Sequence, residues 1–394
     1  MLLPFVLGVL LPWLLTRALQ STKDTRKSGV VSSLTDIQRL LSPPSATIDS
    51  LVRSRALANV RLVQAFHLTN TFVDPDATLH RRFVSQARKL IPSRGPFGHD
   101  FAELAYDIAS RWGNDSMSQL NETSIEFNIF IRVVTFKVMI STLFHVDPHN
   151  LDTNDVIFVT SGINTLWNLS KTTSTFPPGL LEGINQRLSR WIPDLDNPLD
   201  FVIPVYETMW QVVAVGVALL QHDPQATHLM DAYLQNPTNE QFAQWEGSEA
   251  SVQALLSEIF RLYPPVRRMG RIISTRPRWL PSSLDSYFHR VSSADIYALQ
   301  RNVTIWGKDA NEFKPSRHHP STLTDQQRST LLAFGAGGIR CIASNWSPRA
   351  AALLIAAILV RVRQEGSGGL EIQAGAEIGS RGGWDGWRVV LRRC

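Results

Sequence analysis

A chain of 394 residues with 44% hydrophobic and 19% charged positions and a mean hydropathy of −0.06 carries enough apolar material for a large core, which excludes a disordered chain and a polytopic membrane protein. The formal charge is +5, from 39 basic and 34 acidic residues, and the surplus is arginine scattered along the chain, so no nucleic-acid partner is indicated. Two cysteines, Cys341 and Cys394, exclude a disulfide scaffold and a zinc site built of several thiolates, so a functional cysteine acts alone.

Residues 2–16 are uncharged and largely apolar, and Arg17, Lys23, Arg26 and Lys27 follow them. A bilayer core asks for about 20 apolar residues, so the run is short for a span. A cleaved signal peptide competes with a single membrane anchor. It would need a basic residue before the run and a small-residue cleavage site, and neither is clear, so residues 1–20 are read as an anchor. Positive charge after the run places the body on the cytosolic side, where the sequons at Asn114, Asn121, Asn168, Asn302 and Asn345 stay unmodified. Residues 21–60 are polar and basic and read as a linker and membrane-proximal segment, leaving 61–394 as one domain.

Helical patterns are expected around 78–91, 124–145 and 157–172. The apolar stretch 201–220 is long enough for a span, yet Pro204, Glu207 and Gln211 argue for a long helix buried in protein. From 248 to 263 the apolar residues recur at three- and four-residue spacing until Pro264-Pro265 stops the helix. Short strands are expected at 271–275 and 302–306. Ser347 as N-cap and Pro348 at the first helical position open a helix through about Val362. The tail alternates in β fashion over 370–378 and 387–393, joined by a glycine-rich turn. The fold class is mainly α with a small β component.

Phe334 to Ala343 reads FGAGGIRCIA, one cysteine behind three glycines and an arginine, ahead of a helix. Glycines let the backbone approach a planar ligand and turn amides toward a thiolate. A basic neighbour and a helix start lower a thiol pKa. Taken without context, the same loop is an ordinary buried cysteine. The segment resembles the haem-binding loop of the cytochrome P-450 superfamily, the haem-thiolate monooxygenases: Phe334, Gly337, Cys341 and Ala343 satisfy its fixed positions F-x-x-G-x-x-x-C-x-G or A. The family's arginine stands two before the cysteine; here Ile339 holds that place and Arg340 is shifted by one. E-x-x-R is present as Glu258 and Arg261, and Trp306 to His318 resembles W-x-x-D-x-x-x-F-x-P-x-R, ending on Arg317. Glu207-Thr208 resembles the acid-alcohol pair of the family's central helix, without its preceding Ala-Gly. NTFVDPDATLH and YETMW resemble fungal microsomal members of secondary metabolism.

The resemblance implies the cytochrome P-450 fold, a single large helical domain plus a β-sheet subdomain, and haem b with Cys341 as its axial iron ligand. It implies a structural triad of Glu258, Arg261 and Arg317, a proton relay by Glu207 and Thr208, and propionate contacts from Arg271, Arg340 and His318. The family's W-x-x-x-R is not found near His80, which receives no role, and neither does Cys394. Electrons would come from NADPH through a separate reductase, and one oxygen atom would enter an apolar small molecule. The expected location is the endoplasmic reticulum membrane, single-pass, body in the cytosol. The alternatives are a non-catalytic membrane-anchored binding protein of the same fold and a reductase-independent haem-thiolate isomerase.

Overall fold

The computed structural model describes residues 29–91, 97–111, 124–172, 175–245, 250–277, 279–364 and 369–392. Helices α1 (Leu34–Leu41), α2 (Ile48–Ala58), α3 (Val60–Phe66), α4 (Ala77–Leu90) and α5 (Phe97–Arg111) lead to α6 (Phe127–Phe144), α7 (Thr153–Leu169) and α8 (Leu180–Trp191). Next come α9 (Leu199–Tyr206), α10 (Met209–Leu220), α11 (Pro224–Gln235), α12 (Val252–Leu262) and α13 (Ser347–Arg363). Strands β1 (Gly29–Val31), β2 (Ser124–Glu126), β3 (Arg268–Ser274), β4 (His289–Asp295), β5 (Leu370–Gln373) and β6 (Arg388–Leu391) form two sheets.

A helix that is apolar on every side has to lie inside the protein. Three segments meet that condition. In α10 every residue from Met209 to Ala218 is buried, in α13 every residue from Ala350 to Leu359, and α6 buries Phe130, Ile131, Val133, Val134, Val138 and Met139 completely. They form the centre: α10 packs on α6 and α13, and α5 and α11 cover α13. Each fully buried Leu, Ile or Phe contributes about 1.5–3 kcal/mol. Phe127–Phe144 and Leu199–Leu220 are long and apolar enough to cross a membrane, but 72% and 78% of these windows is buried in protein.

In the first sheet β4 is central, parallel to β1 and antiparallel to β3; in the second β6 is central, antiparallel to both β2 and β5. The second sheet joins the start of α6 to the tail of the chain. Trp384 and Trp387 lie buried against Phe127 at ring separations of 5.2 and 5.3 Å.

Four expectations need correction. Residues 29–60, expected as linker, fold into β1, α1 and α2, which pack on β4 and β3; Ile37 and Leu41 have no exposed surface. Residues 302–306 form a turn of helix, not a strand, because the Asn302 side chain accepts from the Thr304 amide at 2.8 Å and Gly307, at φ +86°, ends the turn. Ser347 lies inside α13, with Trp346 at the cap position and Pro348 in the first turn. The first tail strand stops at Gln373, since Gly375 passes against the Asp385 backbone and Trp387, where a side chain would collide. The expected anchor and Cys394 lie outside the described residues.

Candidate functional site

On α12, Ser251 caps the helix by accepting from the Ala254 amide at 3.1 Å, and Glu258 and Arg261 fall one turn apart, both fully buried. Arg261 donates Nε to Glu258 Oε2 at 2.6 Å and Nη2 to Oε1 at 2.8 Å. Arg317 donates Nε to Oε1 at 2.9 Å, and the Lys314 amide adds a bond of 3.0 Å. Burial alone would raise the Glu258 pKa, but the hydrogen bonds of Arg261 and His318 and the Arg261 charge overcome it and hold the carboxyl at about 2. His318 Nε2 lies 2.9 Å from Glu258 Oε2, so His318 belongs to this cluster instead of facing a propionate. The expected triad is a tetrad.

The cluster reaches the cysteine loop through Gln300, a buried residue that no sequence motif marked. Arg261 Nη1 donates to the carbonyls of Gln300 and Ala310 at 2.8 and 2.7 Å. The Gln300 amide donates to the carbonyls of Phe260 and Arg261 and accepts from the Leu332 amide at 2.9 Å. Phe334 then packs on Phe260 of α12, ring centroids 4.9 Å apart.

The loop itself closes when the Cys341 amide donates to the Phe334 carbonyl at 2.9 Å. Gly335 and Gly337 have φ of +75° and +68°, a region open to glycine at little cost. At Gly337 and Gly338 a side chain would run into Ser42 and Ile48, so the loop is walled by the α1–α2 segment. The Cys341 thiol keeps open surface although protein surrounds it on most sides. Burial pushes its pKa up, while the Ala343 amide and the Arg340 charge oppose that rise. Arg340 is exposed and acts on the thiol through its charge.

Arg271 lies on β3 and is buried; Nη1 donates to the Gly270 carbonyl at 2.8 Å, and burial pushes its pKa down to about 10. Arg55 on α2 is buried too. Its Nη2 donates to the Thr71 carbonyl and hydroxyl at 2.7 and 2.5 Å, and the Thr71 hydroxyl meets His80 Nδ1 at 2.8 Å. Burial, then the neighbouring Arg271 charge, push the Arg55 pKa to about 10. Among the described residues neither arginine forms an ion pair, and Nε of each is buried with no hydrogen-bond partner. Arg55 carried no motif; only its burial beside Arg271 marks it.

Residues 201–220, expected as one helix, fall into two, α9 and α10. Pro204 lies inside the first of them, and the break falls beyond it, at Glu207-Thr208. Gln211 Nε2 donates to the Glu207 carbonyl at 2.8 Å and so serves a group at the break. The Glu207 side chain is buried and pairs with Arg381 from the β5–β6 connection; Thr208 is half-buried beside it.

The cytochrome P-450 family model matches residues 206–364. The chain is similar to the cytochrome P-450 monooxygenase xanG of Aspergillus fumigatus, 28% identical over 116 residues that cover 28% of this chain and 22% of that protein. It is similar to cytochrome P-450 72A552 of Barbarea vulgaris, 31% identical over 112 residues, 28% of this chain and 21% of that protein. These matches span about a fifth of the length of the curated relatives. Among solved structures, a six-coordinated cytochrome P-450 from Thermus thermophilus superposes over 92% of both chains with a TM-score of 0.60 at 14% identity. CYP175A1 from another strain of Thermus thermophilus covers 92% of this chain and 89% of its own at a TM-score of 0.59, also at 14% identity.

Proposed function

The chain belongs to the cytochrome P-450 superfamily, and from that premise we propose that it is a haem-thiolate monooxygenase that inserts one oxygen atom into an apolar small molecule. The observation that carries the reading is Cys341 on a glycine loop tied through Gln300 to the Glu258 cluster. A thiolate-bound haem needs one accessible sulfur and cations for its carboxylates. Cys341 offers the first. Arg271 and Arg55, buried with donor groups to spare and no acid beside them, offer the second. The residues present therefore fit a haem.

In this reading Cys341 Sγ ligates the iron, Phe334 and Gly337 shape the loop, and Arg271 and Arg55 hold the propionates. A bound haem would supply dioxygen activation, with electrons from NADPH through a separate reductase, and the Cys341 thiolate would tune its electronics. The chain supplies position, burial and protons. Glu258, Arg261, Arg317 and His318 fix the loop. Thr208 Oγ1 holds a proton at the helix break, and Glu207, after leaving Arg381 and taking a proton from water, would pass that proton on to replace it. Residues 1–20 anchor the protein in the endoplasmic reticulum membrane with the body in the cytosol, and 61–394, together with β1, α1 and α2 packed on them, form the monooxygenase domain. The proposal extends to a role in secondary metabolism, which rests on the resemblance of NTFVDPDATLH and YETMW alone.

The test is the reduced, carbon-monoxide-bound spectrum of the purified chain. We expect the thiolate-type Soret shift in the wild type and its loss in Cys341→Ala. No haem spectrum in the wild type would sink the reading. NADPH consumption with added reductase then separates a monooxygenase from an isomerase.

A further inference from the structure

The connection between β3 and β4, residues 275–288, is closed at its base, where the Thr275 amide and hydroxyl donate to the Phe288 carbonyl at 3.0 and 2.9 Å. Beyond that base it carries the two most exposed large apolar rings among the described residues: Trp279 is 81% and Tyr287 79% exposed, and Leu284 on the same connection is 36% exposed. Single apolar residues scattered on a surface need no explanation, but two nearly bare aromatic rings on one short connection do. Its one acid, Asp285, is already answered. It accepts from Ser274 Oγ at 2.5 Å and from Arg276 Nε at 3.2 Å, and His289 Nε2 lies 3.2 Å away. Residues 275–290 hold three arginines against that single aspartate, so the tip is positively charged.

What the tip meets follows from the sheet. β1 runs parallel to β4 with Gly29 opposite Ser292, so the chain enters β1 at the end of the sheet that carries the connection. Only 12 residues, 17–28, separate that entry from the uncharged run 2–16, and their greatest span is about 40 Å. A second exposed apolar group, Leu57, Val60 and Val63, lies elsewhere. Ser54 Oγ donates to the Ile272 carbonyl and Ala58 lies against Gly270, so α2 leads away from the connection before Val60 and Val63 are reached. Tryptophan and tyrosine concentrate at the headgroup level of a bilayer, and arginines nearby are drawn to its anionic lipids.

We propose that the β3–β4 connection is a second membrane contact, in which Trp279 and Tyr287 enter the headgroup layer of the bilayer that holds residues 1–20. An anchor on a short tether leaves the body free to turn. A second contact at the same end of the sheet fixes which face meets the lipid. The proposal rests on the membrane anchor of the reading above and adds how the body is oriented on it.

Quenching of tryptophan emission by brominated lipid tests it, because Trp13 lies in the apolar run and Trp279 in the connection. The full-length chain is reconstituted in vesicles of phosphatidylcholine and phosphatidylserine, the former either unlabelled or brominated near the headgroup end of its acyl chains. In Trp13→Phe, bromination should still quench part of the emission, and adding Trp279→Phe should remove the larger part of that quenching. Tyr287→Ser in place of Trp279→Phe should lessen it. Both rings are exposed, so these changes leave the fold intact. Quenching of Trp13→Phe that is absent, or that is the same with and without Trp279, overturns the proposal. Self-association in detergent that Trp279→Ser abolishes, without lipid quenching, assigns the rings to a second copy of the chain and overturns it too. The wild type against Trp13→Phe reports the anchor. Quenching at Trp279 but not at Trp13 sinks the anchor alone, and quenching at Trp13 but not at Trp279 sinks the second contact alone. The carbon-monoxide spectrum of the same sample reports the monooxygenase reading independently of both.

Discussion

Two groups of buried charges, one around Glu258 and one formed by Arg55 and Arg271, are built on opposite principles. Around Glu258 every charge is answered from within the chain: two arginines, a histidine and a backbone amide converge on one carboxylate, and Arg261 directs its remaining donors to carbonyls. Around Arg55 and Arg271 the cations share burial but no acid, and donor atoms are left over. The first group is a finished scaffold. The second is finished only by something the chain does not encode, which is how a binding site differs electrostatically from a brace.

The largest effect should come from breaking the finished group. Glu258→Gln leaves Arg261 buried without a counter-charge and Arg317 with Asp309 alone, and loss of one partner of a buried pair costs about 3–5 kcal/mol; urea denaturation of the purified variant should show that drop, with haem content falling alongside. Acid probes the same carboxylate. Its folded pKa of about 2 lies below the ordinary value of 4.5, so its contribution is present above pH 4.5 and is lost as pH falls from there toward 2. That amounts to roughly 3 kcal/mol, and Glu258→Gln should flatten this part of the stability profile. An unchanged acid limb in the variant would count against the cluster as the chief source of acid sensitivity.

The unfinished group should respond with the opposite sign. Arg271→Met removes a buried cation without an acid partner, so the haem-free chain should gain about 1–3 kcal/mol while haem is retained less tightly. A thermal melt and a haem-transfer assay to an acceptor protein check the two halves. If the haem-free variant is less stable than wild type, the contrast between the groups fails. The smallest change expected is Phe334→Leu, which trades the ring contact with Phe260 for a smaller side chain at about 1 kcal/mol; the reduced carbon-monoxide spectrum should stay of thiolate type but decay faster in mild urea.

What the sequence disclosed follows the range of the interactions. Glu258 and Arg261 are one helical turn apart, and Arg317 ends a string whose spacing is itself specific, so the brace could be read from its letters. His318, beside Arg317, was visible but its target was not, because a carboxylate 60 positions away accepts its bond. Gln300 and Arg55 were silent: nothing local distinguishes a glutamine on a turn or an arginine in a polar, basic segment, and their roles come from tertiary contacts. Pro204, Glu207 and Gln211 were read as reasons to bury the long apolar helix, but the break at Glu207-Thr208 was not foreseen. The core helices α6, α10 and α13 were legible because uniform apolarity has only one physical outcome.

The wall of the cysteine loop has a further consequence. Ser42 and Ile48 pack where side chains on Gly337 and Gly338 would otherwise project, so the cysteine loop takes its final form against residues from the far end of the sequence. Contacts of such long sequence separation are slow to form because the intervening chain must first be ordered. Cysteine presentation is thus a late event in folding, and a chain that captures its cofactor has already passed the test of bringing these distant segments together.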